Sequence, residues 1–481
     1  MRGSAANLRA AMSHDPSRSL KSVAADLASG KIISLELVEA AIARHDQLGA
    51  ALAAYKTWRP EQARLQAHAA DAAFASGNVT GPLQGIPISV KDLYGVKGWP
   101  TFAGTAKQLP SKWESEGPIV SGLRRQLGVV MGKAHTVELA FGGLGVNPHW
   151  GTPRNPWDAG AHRVPGGSSS GAGVSLWEGS ALIALGSDTA GSVRIPASLT
   201  GTVGLKTSAG RWSTAGIVPL SATLDTAGVL ARSVTDVAYA FAAFDPAWGS
   251  YAPLEAKIGG LELVDVRIGI AGAPHWDDCS PGVAEAVRGA LDELGRKGAR
   301  LKDVELPEAR EAIELLRAGS VVAAECDAFL EAELPTWRDE LDPIIKMRIA
   351  DGGAISAREL LLRRRRMAAL TRSAATRFGN CDVIACPTVP VTPPTVEEVA
   401  DLKAYRAANM AVLRNTCVAN LVTLTALTMP AGLDKAGMPV GLMLLAPFGG
   451  EERLLAVALA AERVLGTPHE RLGAPPLAPD L

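Results

Sequence analysis

The sequence predicts an α/β protein with a large mixed, mostly parallel twisted β-sheet core flanked by helices. Glycine-bounded apolar runs at 85–96 and 126–135 are typical of buried strands. Helical patterns precede, separate and follow such runs along the chain, which favours one layered α/β body. The 481 residues are 47% hydrophobic and 20% charged, so the chain has enough apolar side chains for a large buried core.

The first part of the chain has helical patterns. The segment "SLELVEAAIARHDQL" repeats apolar residues on one helical face, with Ser34 as the expected N-cap. The alanine-rich segment "RPEQARLQAHAADAAFASG" ends at a glycine, as helices often do. We expect residues 1–70 to form an N-terminal helical segment packed on the core, and residues 71–481 to form the main α/β domain.

The second half of the chain predicts further strands and a helical layer. Residues 265–272 form a strand-like run, and residues 280–380 are mostly helical and charged, as expected of a peripheral section. The segment "NLVTLTALTMPAGLDKAGMPVGLMLLAP" predicts two strands joined by a turn at "DKAG". The final helical pattern ends at Gly466.

Charge and composition exclude several classes of partner. The formal net charge is −1, so no broad positive field attracts nucleic acid. The arginine run 363–366 is expected to be a solvated helix face. The sequence has no apolar run long enough to predict a membrane span. It also has no metal-binding motif, so we expect neither a metal nor another cofactor.

Cysteine usage and the N-terminus predict the compartment. The five cysteines have no paired spacing, which argues against a disulfide framework and fits a reducing compartment. The N-terminus lacks the continuous apolar region of a secretory signal. We therefore expect a cytoplasmic protein. The sequence leaves open whether "MRGS" is native and whether the chain forms a homodimer.

Three segments hold residues suited to chemistry. Lys91 lies inside the apolar run "GIPISVKDLYG", where an ammonium ion is costly to bury, although a strand-end lysine whose charge reaches solvent is the simpler interpretation. The segment "PGGSSSGAG" at 165–173 can present backbone N–H groups to an anion, although a flexible turn also explains it. The segment "GSDTAGSVRIPAS" crowds small residues around Ser192, which allows the backbone to approach a ligand closely.

Taken together, the three segments fit one reaction. A serine nucleophile needs a base, and none of the eight histidines lies in either Gly/Ser loop. A lysine serves as the base if burial keeps it neutral, and a second serine can relay the proton because a hydroxyl both donates and accepts. Four consecutive N–H groups could converge on an oxyanion beside the nucleophile, those of Thr189, Ala190, Gly191 and Ser192.

The span "GGSSSGAGVSLWEGSALIALGSDTAGSVRIPA" at 166–197 resembles the amidase signature. The segments "GIPISVKD" and "GMPVGLMLLAP" match the same family in the same order, and the resemblance extends over residues 20–467. It implies the amidase signature fold and a Ser–Ser–Lys triad, in which Ser192 is the nucleophile, Ser168 the relay and Lys91 the base. It needs no metal or cofactor.

Further residues around the triad receive expected roles. The resemblance implies a cis peptide bond between Gly167 and Ser168. Four residues are expected to support the two loops, the first two as an ion pair and the others through hydrogen bonds: Asp188, Arg194, Ser169 and Ser170. Four more are expected to line the substrate pocket: Ala140, Phe141, Gly142 and Ile195.

The function implied by this resemblance is that of an amidohydrolase. Its partners would be water and a small aryl or alkyl amide, with carbamates (urethanes) and esters as further candidate substrates. One alternative is the glutaminase component of a glutamine-dependent amidotransferase, and another is a catalytically silent binding or scaffold protein. Ile195 stands where the glutaminase component of tRNA-dependent amidotransferases usually carries glutamine, which favours a free-standing amidase with an apolar or aromatic substrate. The three intact triad positions argue against a silent protein.

Overall fold

A computed structural model describes residues 18–318 and 321–480 of the chain. Within them, eleven strands form one sheet in the order β1-β3-β2-β4-β6-β5-β10-β11-β9-β7-β8. The strands are β1 (Tyr55–Trp58), β2 (Pro87–Lys91), β3 (Val129–Ala134), β4 (Ile183–Asp188), β5 (Val203–Lys206), β6 (Thr226–Ala231), β7 (Arg267–Ala271), β8 (Arg300–Val304), β9 (Val383–Pro387), β10 (Thr425–Leu433) and β11 (Pro439–Ala446).

Helices cover this sheet. The α-helices are α1 (Leu20–Ala28), α2 (Ser34–Leu52), α3 (Pro60–Ala75), α4 (Pro118–Arg125), α5 (Ala172–Glu178), α6 (Arg194–Thr200), α7 (Val234–Phe244), α8 (Tyr251–Ile258), α9 (Val283–Arg296), α10 (Glu308–Arg317), α11 (Val321–Glu333), α12 (Pro343–Gly353), α13 (Ala357–Ala375), α14 (Leu402–Leu413), α15 (Thr416–Leu421), α16 (Glu451–Leu465) and α17 (Pro468–Leu472). None of them, over the residues described, is long and apolar enough to cross a membrane.

The strand directions confirm the α/β class and the mixed sheet but not the predominance of parallel pairs. Parallel pairing is confined to β3-β2-β4 and β9-β7-β8, whereas the other six of the ten adjacent pairs in the described sheet are antiparallel. The prediction of a mostly parallel sheet was therefore wrong. Short connections, such as the predicted turn between β10 and β11, allow only antiparallel pairing, since a parallel pair needs a long crossover.

The helix boundaries show how local and distant contacts share the capping. Helix α2 starts at Ser34 itself, so this residue is not the N-cap. The Asp71 carboxylate accepts the N–H groups of Ser34 and Leu35 instead, at 2.6 and 3.0 Å. The Ser34 hydroxyl is then free to donate to the Gly85 carbonyl oxygen at 2.8 Å. The last long helix, α16, ends as predicted, with Gly466 following it at φ 85°.

The central strands β2 and β4 position the candidate site. They are parallel neighbours, with Val90 opposite Leu185, and every residue of both strands is buried. Their carboxyl ends therefore meet at one edge of the sheet, where β2 ends in Lys91 and β4 ends in Ser187 and Asp188. This edge is a common place for a binding site in α/β sheets.

Candidate active site

The Lys91 side chain is fully buried at the end of β2. Its Nζ lies 2.7 Å from the Ser168 Oγ, 2.9 Å from the Ser187 Oγ and 3.4 Å from the Ser187 carbonyl oxygen. Burial lowers the pKa of Lys91 from 10.5 to about 7, although the carboxylates of Asp188 and Asp225 act in the opposite direction. A buried amine with this pKa is substantially neutral at neutral pH, which is the form that accepts a proton.

The Ser168 loop packs tightly on the segment before it. The Gly167–Ser168 peptide bond is cis, as predicted. The Gly167 N–H donates to the Gly143 carbonyl at 2.7 Å, and the Ser168 carbonyl accepts the Val137 N–H at 3.1 Å. An added Cβ on Gly167 would lie 2.7 Å from the Gly145 nitrogen, so this approach requires glycine.

Ser192 lies beside Ser168 at the turn that follows β4. The Ser169 N–H donates to the Ser192 carbonyl at 3.2 Å, which joins the two serine loops. The Ser192 side chain lines a cavity of about 30 Å³ together with Ala140, Phe141 and Gly142. In the part of the chain that the structure describes, no other residue hydrogen-bonds to the Ser192 hydroxyl. A hydroxyl that faces a cavity in this way is available to attack a bound carbonyl carbon.

The expected oxyanion donors are not all free. The Gly191 N–H already donates to Asp188 Oδ1 at 2.8 Å. The N–H groups of Thr189, Ala190 and Ser192 have no acceptor among the described residues, and all three residues line the cavity. Ala190 has an ordinary φ, while Gly191 takes φ 138° with its Cα against Thr416, so glycine is required one position later than the turn's alanine.

A buried ion pair holds this turn in place. The Arg194 guanidinium donates to both carboxylate oxygens of Asp188, at 3.1 and 3.0 Å, and both side chains are fully buried. The same guanidinium also donates to the Thr416 carbonyl and to Asn420. Arg194 keeps the pKa of the Asp188 carboxyl well below its usual range, despite the opposing effect of burial. The Asp188 carboxylate is therefore charged and compensated, which suits a structural role.

The two remaining serines of the loop contribute unequally. The Ser169 hydroxyl donates to the Ser187 carbonyl at 3.3 Å. Ser170 supports the loop only through its backbone, since its N–H donates to the Ser168 carbonyl at 2.8 Å. Among the described residues the buried Ser170 hydroxyl has no hydrogen-bond partner. The expected side-chain support is therefore present for Ser169 and absent for Ser170.

The wall of the cavity includes three of the four expected pocket residues. Ala140, Phe141 and Gly142 line it, whereas Ile195 is fully buried in an apolar cluster with Leu144 and others and does not line it. The sequence placed Ile195 at the pocket because it follows Arg194 closely. Helix α6 instead turns its side chain away from the cavity and into the core.

Sequence reasoning missed three residues of the site. Ser187 contacts the Lys91 amine directly, Asp225 accepts the Thr189 hydroxyl at 2.6 Å, and Arg348 lines the cavity from helix α12. A strand ending beside Lys91 could have pointed to Ser187, but Asp225 and Arg348 lie far along the chain in unremarkable segments. As for metals, the described residues contain no group of three His, Cys, Asp or Glu side chains placed to bind an ion.

Comparison with known proteins decides what this geometry belongs to. A model of the Amidase family matches residues 36–455, most of the chain. The chain belongs to the amidase signature family. The resemblance seen in the sequence is thus confirmed, and the amidase is a hydrolase that acts on carbon–nitrogen bonds of linear amides.

Individual relatives of this amidase cover almost its full length. It is 48% identical to 2-amino-5-chloromuconic acid deaminase of Comamonas testosteroni over 460 residues, covering 95% of this chain and 98% of the relative. It is 35% identical to the glutaminase component of the glutamyl-tRNA(Gln) amidotransferase of Anaeromyxobacter dehalogenans over 489 residues, covering 95% and 97%. The lower identity to that component favours the free-standing amidase over the glutaminase alternative.

Solved structures of the same architecture agree. One amidase crystal structure superposes with a TM-score of 0.81 at 30% identity, covering 93% of this chain and all of that one. The structure of 6-aminohexanoate cyclic dimer hydrolase with its substrate superposes with a TM-score of 0.83 at 25% identity, covering 96% of this chain and all of that one. These likenesses confirm the amidase signature fold.

The Asp188–Arg194 pair leads to a stability prediction. Asp188→Asn leaves a buried guanidinium without its counter-ion and removes acceptors of the Gly191 and Val193 N–H groups. Breaking one side of a buried pair typically lowers the free energy of unfolding by about 3–5 kcal/mol. We expect a clear decrease in the urea midpoint. The control Arg366→Ala breaks an exposed pair with Glu311 and should leave the midpoint almost unchanged. Equal midpoints for both variants would contradict the bracing role.

Proposed function

We propose that this amidase hydrolyses small linear amides through an acyl-enzyme on Ser192, with Ser168 as the proton relay and Lys91 as the base. One observation carries the proposal: a fully buried lysine amine lies 2.7 Å from the Ser168 hydroxyl, next to a serine that faces a cavity. A buried lysine without a carboxylate at contact distance is costly, so a use for its neutral form explains why it is there.

The contacts of Lys91 suit the neutral amine. A neutral amine has two N–H donors and one lone pair, and Ser187 supplies two acceptors, its hydroxyl and its carbonyl oxygen. The lone pair is then directed to the Ser168 hydroxyl, which donates to it. This arrangement leaves the Ser168 oxygen ready to accept the proton of Ser192.

The acylation step moves one proton through this relay. The Ser192 oxygen attacks the amide carbonyl carbon while its proton passes to Ser168 and the Ser168 proton passes to Lys91. The carbonyl oxygen becomes an oxyanion, which accepts the N–H groups of the turn that begins at Thr189. The proton returns by the same path to the departing nitrogen, the C–N bond breaks, and ammonia or an amine leaves. Water then attacks the acyl group by the same route and releases the acid.

Arg348 supports a substrate that carries a carboxylate. Its guanidinium donates to the Phe141 carbonyl oxygen and lies 4.0 Å from the Phe141 ring, and both residues line the inner cavity. No carboxylate of the described residues forms an ion pair with Arg348. A half-buried guanidinium with free donors beside the nucleophile is suited to bind an anionic group of the substrate.

An outer cavity of about 140 Å³ continues from the inner one past Phe141. Arginines 317, 348 and 406 lie in its wall, and Asp351 is paired with Arg406 at 3.4 Å. The positive charge of this wall favours an acid as substrate. The relative that shares 48% identity is named for an amino dicarboxylic acid, 2-amino-5-chloromuconic acid. We therefore place an amide or amine of a small, unsaturated mono- or dicarboxylic acid first among the candidates.

A second candidate reaction follows from the same relative, which is named a deaminase. In a 2-aminodienoic acid the nitrogen is carried on an sp² carbon, and its imine tautomer is an electrophile like an amide carbonyl. Addition of water to that carbon, with protons moved by the Lys91–Ser168 relay, releases ammonia and leaves a 2-oxo acid. Release of ammonia from 2-aminomuconate by the purified chain, compared with that from primary amides, carbamates and esters, distinguishes the two reactions.

The nucleophile is tested with Ser192→Ala. We expect turnover to fall by at least about 10⁴-fold, because the covalent step is lost, while the melting temperature hardly changes. A fluorophosphonate probe should add its mass to the wild-type chain at Ser192 and leave this variant unlabelled. Labelling at another residue, or full turnover by the variant, would contradict the assignment.

The base is tested by pH dependence. Because burial lowers the pKa of Lys91 to about 7, the amine is protonated and inactive below pH 7 and neutral above it. We expect kcat/KM to rise with pH through a limb near 7 and to level off above 8. Lys91→Arg should abolish activity at all pH values, since its guanidinium stays charged. An active Lys91→Arg variant would exclude Lys91 as the base.

Substrate charge is tested with Arg348→Met. We expect KM to increase by about 10- to 100-fold for monoamides of dicarboxylic acids, the usual range for a lost hydrogen bond to a charged group. KM for neutral amides of similar size should change little. Arg406→Met is the matched control, because its guanidinium is paired with Asp351. An equal effect of Arg348→Met on neutral and anionic substrates would exclude carboxylate binding at this residue.

A further inference from the structure

Asp225 connects two walls of the inner cavity. Its Oδ1 accepts the Thr189 hydroxyl at 2.6 Å, and its Oδ2 accepts the N–H groups of Leu220 and Ser221 at 2.9 and 3.0 Å. Thr189 and Leu220 both line the cavity that Ser192 faces. One carboxylate thus fixes the start of the oxyanion turn against the opposite wall.

The turn that carries Asp225 is held from a second side. Glu325 of α11 accepts the Ser221 hydroxyl at 2.5 Å, the Thr223 N–H at 3.0 Å and the Thr223 hydroxyl. Directly after Asp225, the Thr226 hydroxyl donates to the Asp188 carbonyl at 2.8 Å, which joins the start of β6 to the end of β4. Asp225 therefore has little freedom to move relative to the triad.

The charge of Asp225 is not compensated locally. In the described part of the chain, no lysine or arginine forms an ion pair with it, whereas the other acid acting on Lys91, Asp188, is neutralised by Arg194. Burial raises the pKa of Asp225 to about 6, and Lys91 acts against that rise. At neutral pH the carboxylate is mostly charged, and its field acts on the amine of the relay.

The other charged groups near this relay are paired or distant in role. Next to Lys91, Asp92 pairs with Lys133 at 2.9 Å in the interior. Burial, with Arg194 also acting, lowers the pKa of Lys206 to about 8 behind Asp188. The Cys326 thiol faces Asp225, and burial raises its pKa to about 12, so it stays neutral.

We propose that Asp225 is a positioning residue of the reaction, which orients the oxyanion turn through the Thr189 hydroxyl and stabilises the Lys91 ammonium that forms when Ser192 attacks. The inference rests on the proposed relay and adds to it the group that balances the proton. When Lys91 takes up the proton, a positive charge forms in a fully buried place, where it is costly without an opposite charge. The fixed carboxylate of Asp225 offsets that cost in the transition state, and the Thr189 backbone stays aimed at the oxyanion.

Asp225→Asn tests both parts, because the amide keeps the shape and an acceptor but removes the charge. We expect kcat to fall by about 10- to 100-fold with little change in KM, and the acid limb of kcat/KM to move to lower pH. The shift has this sign because loss of a nearby negative charge favours the neutral amine. Glu325→Gln is the matched control: it neutralises a carboxylate on the same turn that does not act on Lys91, so its acid limb should stay in place.

The hydroxyl part is tested separately at Thr189. Thr189→Val removes the donor to Asp225 and keeps the charge, so kcat should fall while the acid limb stays unchanged; Thr189→Ser should restore kcat. These two variants also keep the proposal falsifiable if Asp225→Asn does not fold. Equal kcat for the Val and Ser variants, or an unmoved acid limb in a folded Asp225→Asn protein, would overturn the inference.

The outcome separates this inference from the proposed function. Wild-type chain that the fluorophosphonate probe does not label at Ser192 would contradict the triad itself. Labelling of wild type and of Asp225→Asn at Ser192, with the same acid limb in both, would leave the triad intact and overturn only the role of Asp225.

Discussion

The buried contact between the Lys91 amine and the Ser168 hydroxyl is the interaction on which the site depends. Burial of the amine both lowers the pKa of Lys91 and makes its proton affinity useful. A solvent-exposed lysine would stay charged and could not accept a proton from a serine. The surrounding structure therefore has to enclose a base without a counter-ion in contact, and this requirement explains the tight backbone around it.

The sheet meets that requirement through its topology. Parallel pairing of β2 with β4 brings the base and the start of the nucleophile turn to one edge, and hydrogen bonds between the serine loops fix their spacing. The Asp188–Arg194 pair then ties the turn to helix α15 through Asn420 and Thr416. The rigid part of the site thus comes from neighbouring strands, whereas the substrate wall comes from helices α10, α12 and α14.

The sequence predicted the site best where one short segment contains the whole device. The fold class, the Gly167–Ser168 cis bond and the contact of Asp188 with Arg194 all follow from such segments. Prediction failed where chain direction or distant partners decide. The strand directions depended on connections between elements, and Ile195 was turned into the core by helix α6.

Other features had no local signal at all. Asp188 takes the Gly191 N–H, and Arg348 reaches the cavity from a segment more distant in sequence than any motif extends. Asp225 likewise acts through contacts with Thr189 and the turn at Leu220 that only the folded chain creates. Charges that act through space leave no pattern of spacing in a sequence, so three-dimensional proximity is needed to find them.

The small inner cavity has a consequence for the order of events. Its volume of about 30 Å³ holds little more than a water molecule beside the attached acyl group. The released amine and the incoming water must therefore occupy the same space in turn, which gives ping-pong kinetics. A compact competitor such as hydroxylamine would fit in that space and intercept the acyl group, whereas bulky alcohols would be excluded, so this hydrolase is also expected to be a size-limited acyltransferase.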